Sequence, residues 1–168
     1  MKNWIVILAI VLTAFACKKG HGPDVVLNGK LTDCLPNSVC TYSYYNNADF
    51  STSNSKPFSG QSRVFLYSSV NNNICGMTTG LLFKAPENAE SFEITSAQIA
   101  SGQIVGTYVS CPCCDLFALS KPIGGQIMGE QKDATHWLVN ATVIFGIEPN
   151  HPIDTLTVNQ YFSVQNLQ

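Results

Sequence analysis

The feature that most restricts this chain is a period of two. From His136 to Phe145, the residues Trp137, Val139, Ala141, Val143 and Phe145 fall on one side. His136, Leu138, Asn140, Thr142 and Ile144 form a mixed opposite side. Leu156 to Val164 repeats the pattern: Leu156, Val158, Phe162 and Val164 share a face that only Gln160 interrupts. Side chains of a strand alternate between faces, so these runs predict half-buried strands. Shorter runs of β-forming residues predict further strands at Val25–Leu31, Thr41–Tyr45, Arg63–Ser69, Leu81–Lys84, Ser91–Ile94, Ile104–Ser110 and Gln126–Met128. Arg63–Ser69 is apolar on both faces, which places it centrally. The Ser-, Asn- and Gly-rich stretch Ala48–Gln61 reads as a loop, either plainly solvated or a binding loop carrying Phe50 and Phe58.

One helix is expected, over Thr95–Ser101, with Thr95 or Ser96 as its cap and Gly102 as its stop. Many short strands and almost no helix predict a mainly β domain over residues 25–168. It is expected to be a single antiparallel β-sandwich, with a β-barrel as the alternative, and disulfide-bonded. Charged residues make up only 12% of the chain. Without a Lys/Arg-rich run, nucleic acid is not an expected partner.

The first residues are of another kind. Lys2 precedes thirteen nearly apolar residues, Trp4 to Ala16, and then come Cys17, Lys18 and Lys19. Thirteen residues rise only about 20 Å as a helix, short of a bilayer span. A basic start, an apolar stretch and small residues make up an export signal over residues 1–16. Its loss leaves eight basic and eleven acidic residues, a net charge of −3 with histidines neutral. Residues 17–24, with Gly20, Gly22 and Pro23, read as a non-helical tether.

Ala14-Phe15-Ala16-Cys17 resembles the lipobox of bacterial lipoproteins, and the Lys18-Lys19 that follows is similar to Bacteroidota examples. It departs from the usual lipobox by having Ala14 where leucine is commonest and the bulky Phe15 next to it. The resemblance covers the leader alone. It implies lipid attachment at Cys17, with three acyl chains, palmitate among them, and a place at the membrane of the cell envelope. The outer membrane is expected, on its periplasmic or surface face. Each buried CH₂ contributes about 0.8 kcal/mol, so three chains hold where one holds marginally.

Six cysteines follow Cys17: Cys34, Cys40, Cys75, Cys111, Cys113 and Cys114. In an exported chain an even number reads first as disulfides, and six cysteines allow 15 connectivities. Either each of the three upstream cysteines takes a partner in the Cys111-Pro-Cys113-Cys114 cluster, or Cys34–Cys40 closes its own loop and Cys75 joins the cluster. A second reading is redox chemistry at Cys111-x-x-Cys114, though no βαβ pattern surrounds it. A third is a thiolate site for Zn or Cu built on Cys111, Cys113 and Cys114, with Cys75, His21, His136 or His151 as fillers.

A catalytic arrangement needs a nucleophile beside a base, and Cys113 or Cys114 with His136 and Asp115 would supply one on paper. No local signature accompanies it, and no catalytic residue or resident cofactor is assigned. Asp154-Thr155-Leu156 resembles the O-glycosylation site of exported Bacteroidota proteins, which implies modification at Thr155. The expected function is therefore a non-enzymatic binding or interaction module, its partner an envelope protein or a small ligand. A thiol-based metal or redox protein is the alternative.

Overall fold

A computed structural model describes residues 27, 29–51, 54–111, 120–149 and 151–167, with backbone alone at 54 and 55. The leader, Cys17, the tether and residues 112–119, which include Cys113, Cys114 and Asp115, lie outside the described residues.

Among the described residues the chain forms nine strands and one helix. In order these are β1 (Ser38–Ser51), β2 (Asn54–Ser59), β3 (Ser62–Asn71), β4 (Met77–Pro86), β5 (Ser91–Ile94), α1 (Ser96–Ala100), β6 (Val105–Ser110), β7 (Lys121–Gln131), β8 (His136–Gly146) and β9 (Pro152–Val164). They pair as one continuous sheet in the order β5-β7-β8-β9-β1-β3-β4-β6, with β2 attached to β1. Every pairing is antiparallel except β1 with β9, which is parallel and confined to Ser43–Ser163 and Tyr44–Val164.

The expected class is what the chain adopts: mainly β, antiparallel, with one short helix and a disulfide. The sheet curls into a half-barrel whose two halves face each other over one core. The ring of Phe92 in β5, at one end of the strand order, is 5.2 Å from that of Phe65 in β3 and 6.0 Å from that of Phe83 in β4. Trp137, Phe162, Val139 and Ile127 complete the packing and are fully buried. The predicted inward faces of β8 and β9 are those that face this core.

The strand β3 is central, as its two apolar faces require. Phe65 and Tyr67 point into the core, while Val64 and Leu66 join a smaller outer cluster with Ala48, Phe50 and Leu82. That outer cluster corrects the reading of residues 48–61 as a loop. β1 runs on to Ser51 through a bulge between Tyr45 and Ala48, where Asn47 takes a φ of 49°. The extension pairs with β2 and lays the ring of Phe50 on Gly106, where any side chain would collide with it. Lys84 caps the ring at 4.9 Å and ion-pairs with Asp49. Phe58, by contrast, stays exposed. Ser and Asn are poor strand formers, but backbone pairing and one buried aromatic override that preference here.

The strand expected at Val25–Leu31 is absent at Leu27 and residues 29–31. Residues 29–34 run as a strap along the edge of β9. Thr32 N–H donates to the Asn159 carbonyl at 2.8 Å, and the Asn159 side-chain amide donates to the Lys30 carbonyl at 3.0 Å. A side-chain amide thus replaces part of a strand ladder, and Gly29, at φ 148°, sits where a Cβ would come within 3.3 Å of that amide.

The helix starts where its cap predicts. Thr95 and Gln98 form a reciprocal capping box, and Gly102 ends the turn at φ 70°.

Candidate functional site

The concave face of the half-barrel is not filled evenly. Read along the inward positions of β3, the side chains go from Phe65 through Tyr67 to Ser69 and Asn71. Along β4, backwards, they go from Phe83 through Leu81 to Thr79 and Met77, and along β6 from Val105 to Thr107. Aromatic rings and branched chains thus give way, in the same direction on three neighbouring strands, to Ser69, Thr79 and Thr107, with Met77 and Val109 as apolar exceptions further along. On the opposite wall, β1 and β9 pair only near Ser43 and Ser163, so their other ends splay apart. The outcome is a cavity of about 410 Å³ at this end. That volume falls in the range of about 300–1,000 Å³ usual for small-molecule sites.

Tyr42 and Tyr67 stack at 5.4 Å between ring centroids and contribute the aromatic part of the lining, with Phe145, Leu156 and Val158 facing them. Ser69, Thr79, Thr107 and Thr157 add hydroxyl groups. Asp33, on the strap, and Asp154, near the start of β9, add exposed carboxylates. No Lys, Arg or His is among the described lining residues. Burial raises the Tyr42 phenol pKa above its ordinary value, and the neighbouring Tyr67 and Asp33 add to that. The Ser38 hydroxyl oxygen is buried in the wall with no hydrogen-bond partner.

The described cysteines gather at the same end. Cys34 and Cys40 are bonded to each other, with 5.8 Å between their Cα atoms, so this disulfide closes its own loop. It ties the strap to the first turn of β1, where Cys40 pairs with Ser69 of the cavity wall. Its Cys40 sulfur lies 3.9 Å from the Tyr67 hydroxyl. Cys75, in the β3–β4 turn at φ 49°, and Cys111, just past β6, are each disulfide-bonded as well. Cys111 is therefore no thiolate donor in this state, although the Zn or Cu reading needs it together with Cys113 and Cys114. Among the described residues no group of three His, Cys, Asp or Glu side chains is arranged to hold a metal ion.

His136 lies at the opposite end, at the first position of β8. Phe145 lines the cavity nine residues later, roughly 30 Å further along the strand. His136 Nδ1 is 3.0 Å from both carboxylate oxygens of Asp133 and 2.9 Å from the Thr135 hydroxyl. The Thr135 N–H and hydroxyl, and His136 after them, hold the Asp133 carboxyl down to about 2. This exposed cluster closes the β7–β8 turn and is remote from Cys111. His151 Nδ1 lies 3.3 Å from the Glu148 carboxylate. Thr155, the candidate glycosylation site, is exposed on β9 and lies on the cavity rim.

The residues that build the cavity were not singled out from the sequence. The taper of side-chain size along inward positions was legible, but only register shows that three tapers run side by side. No protein-family model, curated protein or solved structure matches this chain.

Proposed function

We propose that this chain is a cell-envelope lipoprotein, anchored through Cys17, whose half-barrel holds a small molecule in its open mouth without transforming it. The observation that carries the binding part is the cavity of about 410 Å³, enclosed by tyrosine rings, branched chains and hydroxyls. Such a lining suits recognition of a molecule with an apolar body and a few polar groups. Among the described lining residues there is no histidine or cysteine to act as base or nucleophile. The leader, with Cys17 directly after Ala16, supports the anchoring part.

Ligand-observed NMR with a fragment library tests the binding part on the full-length chain, with a Thr107→Phe variant as control. Bound fragments should be lost when the phenyl group occupies the cavity. Fragments that bind both forms equally, or none that bind at all, would remove the cavity as a site. For the anchor, Cys17→Ser should shift the protein from the membrane pellet to the soluble fraction. Unchanged pelleting would end the lipoprotein reading.

A further inference from the structure

We propose that the cavity selects an organic cation: an ammonium group carried on an apolar body, with the ammonium at the mouth between Asp33 and Asp154 and the body against Tyr42 and Tyr67. This rests on the small-ligand reading above. Among the described lining residues the carboxylates are Asp33 and Asp154, and they come from separate elements, the strap and β9. Among the described lining residues no cationic side chain neutralises them. The field reaches inward, because the Asp33 charge is felt at the Tyr42 hydroxyl. Tyrosine faces attract cations through their ring quadrupole, so floor and rim favour the same charge. An anion of the same shape would meet repulsion from both carboxylates and find no donor cation.

Three probes of one shape separate charge from shape: 2-phenylethylammonium, 2-phenylethanol and 3-phenylpropionate. Each is titrated by calorimetry into the full-length chain held in dodecyl maltoside micelles, which carry no ammonium group, with empty micelles as the blank. The ammonium should bind most tightly, on the order of tenfold more than the carboxylate, as two partly exposed charges would give. The Asp33→Asn/Asp154→Asn double variant should bring the three probes to within about twofold of one another. Both side chains are exposed, so this variant leaves the core intact. Thr107→Phe should abolish all three. If the carboxylate binds as well as the ammonium, the cation inference fails while the cavity stands. If the ammonium preference persists in the double variant, the aspartates are not its source and the proposal falls. If no probe binds at millimolar concentration, the proposal and the small-ligand reading fall together.

Discussion

The two ends of the half-barrel solve the same problem in opposite ways. At the closed end, Arg63 enters the concave face from the first turn of β3 and acts as a plug. Its guanidinium lies 4.5 Å over the Trp137 ring and 6.0 Å from that of Tyr44. Its nitrogens donate to Asn46 Oδ1 at 2.9 Å, to the Glu87 carbonyl at 2.7 Å and to the Ala89 carbonyl at 3.2 Å, with the Glu87 carboxylate 3.7 Å away. Burial pulls its pKa below the ordinary arginine value, and Glu87 and Tyr44 oppose that. At the open end the described side chains line the concave face without filling it, and the strands surround a cavity. There the sheet is bound by disulfides at Cys34–Cys40, Cys75 and Cys111. One end is held by packing and hydrogen bonds, the other by covalent links around empty space. A binding site requires the second arrangement, since a void forfeits the contacts that would otherwise stabilise it.

The sharpest way to break this comparison is to remove the plug. Arg63→Ala should lower stability by about 3 kcal/mol or more, read as a lower urea midpoint, because it leaves Asn46 and two loop carbonyls without their donor. A loss under about 1 kcal/mol would show that the closed end is held by its aromatic rings alone. Next, equal enlargements should cost unequal amounts. Val139→Phe, in the filled part of the core, should destabilise by about 1–3 kcal/mol, whereas Thr107→Phe should stay within about 1 kcal/mol. Equal losses in thermal unfolding would mean that the cavity collapses in solution.

Replacing Cys34 and Cys40 together by serine should cost about 2 kcal/mol, the entropy of a loop this short. Hydrogen exchange should then rise at Thr32 and Asn159, where the strap docks, and stay unchanged at Arg63. The smallest effect belongs to the β7–β8 turn. The Asp133 carboxyl titrates at about 2 in the folded chain, below its ordinary 3.8. Its carboxylate therefore supports the turn fully above pH 3.8, and that support is lost as pH falls toward 2. Amide shifts of Thr135 and His136 should report this locally, with no change at the cavity.

Much of the fold was legible from local pattern. The alternation in β8 and β9 named their inward faces, and the capping residues located α1 at Thr95. The twofold apolar character of residues 63–69 marked the central strand. Where reading failed, a tertiary partner had replaced a local signal. Residues 48–61 carry turn-like composition, yet β1 and β2 pair there because Phe50 has Gly106 to rest upon. Residues 29–31 carry strand-like composition, yet they dock through the Asn159 side chain. β7 was expected only over Gln126–Met128, but it extends from Lys121 to Gln131, since pairing to β8 carries it past Pro122 and a bulge before Gly124.

The candidate site was the least legible part. Single residues such as Ser69, Thr79 and Thr107 look like ordinary strand positions. Only the register of β3, β4 and β6 sets them side by side, and only the splay of β1 from β9 opens the wall opposite. The cysteines were visible as a set, but which of them bonded locally depended on the strap approaching the start of β1.

By itself, then, the order of residues determined which segments are extended, which side of each is apolar, and where the helix begins. Those are short-range properties, set by side-chain alternation and hydrogen bonds between near neighbours. How far the sheet curls, which end is plugged and which is left hollow were decided only in three dimensions. They depend on contacts such as Arg63 with Trp137, 74 residues apart in the chain, and no local pattern encodes the distance at which two such residues meet.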